Sequence, residues 1–272
     1  MPEPLPYLDA YFARIGYTGP RDPTLATLTA IHGHHARAIP YEYLDVLLGR
    51  PISLDPAAIA QKLVHDRRGG YCFEQNALLR DVLRALGFRV TALIARVRWQ
   101  IPADVTTTLS HMALRVDLPE GAFLADVGFG SRSLITPLAF EFDRVQLGSI
   151  EPRRLVQRDR LIVHQTLHED AWADVYQFLP DEVPAVDFEV SNWFTSTHPQ
   201  SRFKQNLALA RAGTACRYAI LNCEFIIRHA DGRAEKHPIT SPDHLLALLA
   251  EYFGLHFPPG TRFGPPGSPW PS

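Results

Sequence analysis

The sequence predicts an α+β protein with a helical first part, an antiparallel β-rich middle and a mixed C-terminal part. Three observations point there. Apolar residues recur at helical spacing up to Leu86. From Phe88 onward Val, Ile and Thr become frequent, and apolar and polar residues alternate. After Pro184, polar, helical and strand-like stretches are interleaved. Breaks are expected near residues 87 and 190.

Residues 5–15 form a short amphipathic pattern, and 24–38 a longer one after Pro23. Asp55 is placed to cap a helix with Pro56 at its first position, running to about Asp66. Another helix starts at Cys72, where Leu78, Leu79, Val82, Leu83 and Leu86 follow at helical spacing and Gly87 is placed to end it. Residues 88–99 have strand composition. In 111–118, Met112, Leu114, Val116 and Leu118 alternate with residues facing the other way. Leu118-Pro119-Glu120-Gly121 fits a β-turn, with Pro second and Gly fourth. Residues 123–129 return as a strand, and 149–155, 161–168 and 172–178 are further strands. Together they suggest an antiparallel barrel or curled sheet. Residues 192–209 are expected to be polar and then helical, 215–229 to carry strands, and 242–253 to form an amphipathic helix. The tail, 257–272, is Pro/Gly-rich and expected to lie extended on the surface or loose.

Composition narrows the function. A chain of 272 residues is long enough for two or three compact units. Its 46% hydrophobic and 21% charged residues describe a folded soluble protein. A net charge of −2 offers no basic excess for nucleic acid. Residues 1–17 have early prolines and no long apolar run, unlike a secretory signal or a membrane span. Three widely spaced cysteines do not make a disulfide framework and suggest a reducing compartment, so a cytoplasmic protein is expected. Cys216 and Cys223 lie in apolar stretches and are expected to be packing residues. With no paired-cysteine or His-Glu-x-x-His spacing, no metal site is expected. His32, His34 and His35 cluster, but the expected reading is a solvated polar helix face. Residues 153–160 form a basic run expected at the surface.

The segment Arg68-Gly69-Gly70-Tyr71-Cys72-Phe73-Glu74-Gln75-Asn76 carries the most chemistry. It sets a thiol at the start of a helix, in the positive end of the backbone dipole, where the thiolate form of a cysteine is favoured. The glycines permit close approach of the chain. By itself the segment also suits a buried core cysteine. A thiolate nucleophile needs a base, and the base needs a group to orient it. His111 opens a strand, and Asp126 lies on the next strand across the turn. If the hairpin is centred at Pro119–Glu120, His111 faces Gly128 and Asp126 is its diagonal neighbour, about 7–8 Å away at the backbone. A one-residue slip would put the two on opposite faces. Asp126 is flanked by Ala125 and Val127, and a carboxylate there must be paired. An imidazole N–H or backbone amides would each satisfy it.

Together these segments resemble the arylamine N-acetyltransferases. Residues 68–76 look like that family's nucleophile motif. Ser110-His111-Met112 and Asp126-Val127-Gly128-Phe129-Gly130 look like its His and Asp motifs. Ile39-Pro40-Tyr41-Glu42-Tyr43-Leu44 resembles its upstream element, with Tyr41 for the usual Phe and Tyr43 for the usual Asn. Thr195-Ser196-Thr197-His198-Pro199-Gln200-Ser201-Arg202-Phe203 resembles a later one. The resemblance implies a helical bundle at 1–87 carrying the nucleophile, a β-barrel at 88–190 carrying His and Asp, and an α/β lid at 191–272. The catalytic core would be similar to that of papain-like and transglutaminase-like enzymes.

It further implies acetyl-CoA as cosubstrate and an arylamine or hydrazine acceptor, joined by ping-pong transfer through Cys72, His111 and Asp126. Tyr41, Val97, Phe129 and Phe203 would line the acceptor pocket. Trp99, Ser110, Gly130 and His229 would contact CoA. Glu42 would pair with Arg68 to hold the loop before Cys72. No nucleic acid or membrane partner is implied, and the protein could be a monomer or homodimer. Three alternatives remain. They are an amide synthase of the same family acting on a carrier-bound acyl chain, a thiol hydrolase or transglutaminase-like enzyme, and a binding protein with a decayed site.

Overall fold

A single helix, α5 (Cys72–Ala85), organises the first part of the molecule. Phe73, Leu79, Val82 and Leu83 are fully buried along it. They pack against α1 (Leu8–Ile15), α2 (Leu25–Ala38), the short α3 (Leu44–Leu47) and α4 (Pro56–Ala60). Burying such side chains contributes on the order of 1.5–3 kcal/mol each. Asp55 Oδ1 accepts from the Ala57 and Ala58 amides and caps α4 behind Pro56. The chain continues from α4 through a π-helical turn, Gln61–His65. The structure is a computed structural model and describes residues 5–147 and 150–264.

The middle part is an antiparallel sheet in the order β4-β3-β2-β1-β7-β6-β5. Its strands are β1 (Arg89–Val97), β2 (Leu109–Leu118), β3 (Gly121–Ala125), β4 (Leu138–Ala139), β5 (Arg153–Arg158), β6 (Leu161–His168) and β7 (Ala171–Phe178). After β4 the chain bridges to β5 at Phe142–Leu155 and Gln146–Arg153, which nearly closes the sheet into a barrel. The β2–β3 hairpin pairs Leu118 with Gly121 and Leu114 with Ala125. That register is centred on Pro119–Glu120.

The last part begins with α6 (Ala185–Thr197) and α7 (Arg202–Gln205). A second antiparallel sheet, β11-β10-β9-β8, follows. It contains β8 (Ala208–Ala212), β9 (Cys216–Leu221), β10 (Glu224–His229) and β11 (Ala234–Pro238), and α8 (Pro242–Leu248) packs near it. Residues 39–44 stitch this sheet to the bundle. Tyr41 exchanges backbone hydrogen bonds with Ala210 at 2.8 and 3.0 Å, while Glu42 N–H donates to Gly70 O at 3.0 Å. The upstream element is therefore a backbone clamp between the loop before Cys72 and β8.

Several expectations are corrected. Residues 192–209 are not polar first and helical afterwards, because 192–197 already belong to α6, which starts at Ala185, and Leu209 lies in a strand. Pro184 explains the early start, being tolerated where helix amides have no intrahelical partner. The strand expected at 149–155 is Arg153–Arg158, and residue 149 lies outside the described residues. The strand expected at 123–129 ends at Ala125. Cys216 is half-buried and Cys223 is exposed in the β9–β10 turn, so neither is a core residue. Arg153 is fully buried rather than at the surface. In the tail, Phe263 is buried in the second sheet's core, and the residues after 264 lie outside the described ones.

Candidate active site

Cys72 is the first residue of α5, so its amide is among the four helix N–H groups without an intrahelical acceptor. The turn before it is built for close approach. A Cβ on Gly69 would lie 2.2 Å from Pro40 O, and one on Gly128 would lie 2.6 Å from Cys72 Cα. Only a residue without a side chain lets the loop after β3 press onto the helix start there.

That closeness brings the three predicted groups together. The His111 Nε2 lies 2.8 Å from Asp126 Oδ2. Cys72 is near enough to act on the imidazole, since the sulfur is among the causes that raise the His111 pKa. The thiol also donates to Ser110 O at 3.6 Å. His111 and Asp126 are 2% and 0% exposed, so their charges are hardly screened by water. Burial disfavours the imidazolium, yet the Asp126 carboxylate and the bonds to Asp126 and Cys72 outweigh it, raising the His111 pKa to about 10. Burial would likewise raise the Asp126 pKa, but the His111 charge and hydrogen bonds from His111, Asn76 and the Gly128 amide lower it to about 2.

Asn76 sits one turn along α5 and ties the pieces to one another. Its Nδ2 donates to Asp126 Oδ1 at 2.9 Å and to Met112 O at 2.7 Å, and its Oδ1 accepts from Val127 N–H at 3.1 Å. The Gly128 amide donates to Asp126 Oδ1 at 2.9 Å. Behind this layer stands α2. Contrary to the solvated-face expectation, His32 and His35 are fully buried, and only His34 is partly exposed. The Asp126 N–H donates to His32 Nε2 at 3.1 Å, which requires that nitrogen to be unprotonated. Burial agrees, lowering the His32 pKa to about 4. His35 joins the Tyr11 hydroxyl to Gln75, whose amide group donates to Pro40 O and Gly70 O.

A charged network braces the loop from below. Arg68 donates to Glu42 Oε1 through Nε at 3.0 Å and Nη2 at 2.8 Å, and Glu42 Oε2 accepts from Leu44 N–H at 2.7 Å. Lys62 Nζ bridges Asp45 and Glu74 at 2.8 and 2.7 Å. Glu74 Oε2 accepts from Tyr71 N–H at 3.0 Å and so caps α5 directly before the sulfur.

The remaining predicted residues divide into groups. Phe129 and Tyr176 wall the imidazole, with ring centroids 4.9 and 4.8 Å from His111. Phe203 packs on Tyr43 at 4.6 Å and on Tyr71 at 5.6 Å. Tyr41 reaches over Gly130, where an added Cβ would lie 3.1 Å from its ring. Val97 ends β1 opposite Tyr176, on the strand beside His111. Trp99 carries the Arg132 guanidinium over its ring at 4.4 Å and lies against His168. Ser110 precedes His111 on β2 and holds the thiol through its carbonyl. His229 ends β10 and is engaged with Glu235 at 2.8 Å within the second sheet.

Asn76, Gln75, His32 and Tyr176 received no role from the sequence. A signal existed for Gln75. Gln75 shares its helix face with Leu79, Val82 and Leu86, so a polar side chain there must find an internal partner. Among the described residues no group of His, Cys, Asp or Glu is arranged to hold a metal ion.

A sulfur, an imidazole and a carboxylate gathered in this way can act as a nucleophile, its proton carrier and the group that orients the carrier. Comparison with known proteins gives the family. A family model described as N-acetyltransferase matches residues 24–261. The arylamine N-acetyltransferase of Mycobacterium tuberculosis is 40% identical over 253 residues, covering 92% of this chain and 89% of the relative. A Salmonella typhimurium relative, an arylamine N-acetyltransferase and N-hydroxyarylamine O-acetyltransferase, is 34% identical over 250 residues, covering 92% and 89%. Among solved structures, the Mycobacterium marinum arylamine N-acetyltransferase in complex with CoA superposes with a TM-score of 0.88 at 39% identity, covering 91% of this chain and 92% of that one.

Proposed function

We propose a function from one premise, that this chain belongs to the arylamine N-acetyltransferase family. It transfers an acetyl group from acetyl-CoA to an arylamine or arylhydrazine in two half-reactions through Cys72. The observation that carries this reading is the burial together, at the start of α5, of Cys72, His111 and Asp126, with His111 Nε2 2.8 Å from Asp126 Oδ2.

In the first half-reaction the Cys72 sulfur attacks the thioester carbonyl. A carbon–sulfur bond forms to Cys72 and the bond to the CoA sulfur breaks, CoA leaving with the proton that His111 holds. Thiol–thioester exchange is nearly balanced in energy, so a thiolate suits it. The Cys72 amide can donate to the developing oxyanion. In the second half-reaction the amine attacks the acetyl carbonyl, His111 takes its proton, and the Cys72 sulfur departs.

The pKa causes explain how one imidazole serves both steps. Part of what raises the His111 pKa is its hydrogen bond to Cys72 and the sulfur's charge. Acetylation removes that negative charge. The imidazolium loses stabilisation at the stage when a neutral base is needed, and Asp126 keeps the ring oriented throughout. Tyr41, Val97, Phe129 and Phe203 offer aromatic and apolar surface suited to a flat amine and to excluding water from the acetyl-enzyme. Trp99, Ser110 and Gly130 flank the same centre on the side proposed for CoA, and His229 is the outlying member. Glu42 and Arg68 act as supports of the loop before Cys72.

The test is intact-mass and peptide analysis after incubation with acetyl-CoA and no amine. One acetyl group on Cys72 with one equivalent of free CoA is expected, and none on Cys72→Ser. Active protein whose Cys72 stays unlabelled would reject the reading.

A further inference from the structure

We propose that the end of the barrel away from Cys72 is a second small-molecule site, which takes a flat aromatic body carrying a carboxylate. A cavity of about 360 Å³ opens there, a size suited to a small ligand. Arg115 of β2, Gln157 of β5 and Arg160 of the β5–β6 turn supply the polar part of its wall. The rest is apolar, led by Phe140 and Phe142 from the segment that closes the barrel and by Ile162 of β6.

The strand registers place the strand-borne side chains on one face. Residues directly paired across neighbouring strands share a face. Arg115 pairs with Leu124, and Ile162 pairs with both Gln157 and Phe178. Leu124, Ile162 and Phe178 are buried in the barrel core, so Arg115 and Gln157 point into the barrel as well. His111 lies on the same face of β2, about 13 Å from Arg115 along the strand. Ala113, fully buried, stands between them. Phe140 lies against Phe178 at 6.3 Å, Phe178 against Tyr176 at 6.0 Å, and Tyr176 against His111 at 4.8 Å. These rings fill the barrel between the cavity and the imidazole.

Charge and shape select the ligand. Arg115 Nε donates to Asp117 Oδ1 at 2.9 Å, and Nη2 lies 2.8 Å from the same oxygen. Its Nη1 has no protein partner among the described residues, and its guanidinium lies over the Phe140 ring at 5.3 Å. Arg160 has neither an ion-pair nor a hydrogen-bond partner among the described residues. Gln157 Nε2 gives one hydrogen to Asp159 O at 3.1 Å and keeps a second. No carboxylate lines the cavity. Asp117 offsets part of the Arg115 charge, and Arg160 stays uncompensated. Two guanidinium groups disfavour a cation and can hold a carboxylate by charge-assisted hydrogen bonds. Phe142 is 40% exposed, so an aromatic body seated against it and Phe140 removes apolar surface from water.

The probe is cinnamate, titrated into the whole protein by calorimetry, with neutral cinnamamide as its match in shape. Saturable binding of cinnamate is expected, about tenfold or more tighter than that of cinnamamide, since only the carboxylate makes charge-assisted hydrogen bonds. Arg160→Gln should weaken it by about tenfold on the same ground. Phe142→Ala should weaken it as well. Both residues are exposed, so neither change disturbs the core. Saturating CoA should leave the cinnamate affinity unchanged, because the cavity lies across the barrel from Cys72. Absence of saturable binding, equal affinity for acid and amide, or an affinity untouched by Arg160→Gln would each overturn the proposal. Displacement of cinnamate by CoA would assign the binding to the acetyl-transfer site and overturn it too.

Discussion

Replacing Asn76 by Asp tests whether this side chain holds the site together. The two residues have nearly the same shape, so packing is preserved and only protons change. In the native protein Asn76 Nδ2 donates to Asp126 Oδ1 at 2.9 Å and to Met112 O at 2.7 Å. A carboxylate oxygen in that place would face two acceptors, one of them charged, with all three residues buried. The new carboxyl must therefore stay protonated when folded, although it ionises near pH 3.9 when unfolded. Holding it neutral at pH 7 costs about 1.4 kcal/mol for each of roughly three pH units, or about 4 kcal/mol. One lost hydrogen bond adds about 1 kcal/mol at any pH. The sign follows from the raised folded-state pKa of an acid. The destabilisation grows as pH rises above the unfolded value and fades as pH falls towards it. Urea unfolding of both proteins at pH 7 and pH 5 should show the deficit shrinking by about 3 kcal/mol at the lower pH. A deficit equal at both values would refute the reasoning. Asn76→Ala is the control, a loss with little dependence on pH.

Other perturbations follow from the same geometry. Gly128→Ala places a Cβ 2.6 Å from Cys72 Cα and 2.8 Å from Asn76 Nδ2. Acetyl transfer should fall by about a hundredfold, with far-UV circular dichroism unchanged. Glu42→Ala removes the oxygen that accepts two N–H bonds from Arg68, leaves Asp45 as its remaining carboxylate partner, and should cost about 1.5–3 kcal/mol in denaturant unfolding. The His111 pKa is raised to about 10, so the stability it contributes is fully present below the unfolded value near 6.5 and is lost as pH climbs towards 10. The stability difference between native protein and His111→Gln should narrow over that interval, and a constant difference would count against the ion pair. His32 accepts from the Asp126 amide, so His32→Phe should lower kcat more than it raises KM, while His32→Gln, which retains an acceptor, should recover part of the loss.

How much of this was legible follows the range of each interaction. The Cys72 helix is local, since its apolar spacing and Gly87 specify it. The hairpin is local as well, and its register is the one centred on Pro119–Glu120, although the turn by itself leaves that register open. His111 and Asp126 could be paired conditionally on that register, and the family resemblance implies the same pair. Asn76 could not, because its partners lie 36 and 50 residues away on another element. The histidines of α2 were misjudged for a related reason. Three imidazoles look like a polar face until it is known that α2 runs behind the Asp126 loop and buries two of them. Arg153 resembled a surface residue because its partner, Glu151, is recognisable only once β5 closes the barrel. The clamp at residues 39–44 is made of backbone bonds to Gly70 and Ala210, which side-chain identity does not encode.

The central claim is that sulfur, imidazole and carboxylate act as one relay carrying an acetyl group on Cys72. The acetylated protein, freed of CoA by rapid gel filtration and mixed with an arylamine, tests this directly. The acetyl group should pass to the amine at a rate no slower than steady-state turnover, and Asp126→Asn should slow that step by orders of magnitude. Acetyl-enzyme that yields product only when CoA is added back would contradict the account.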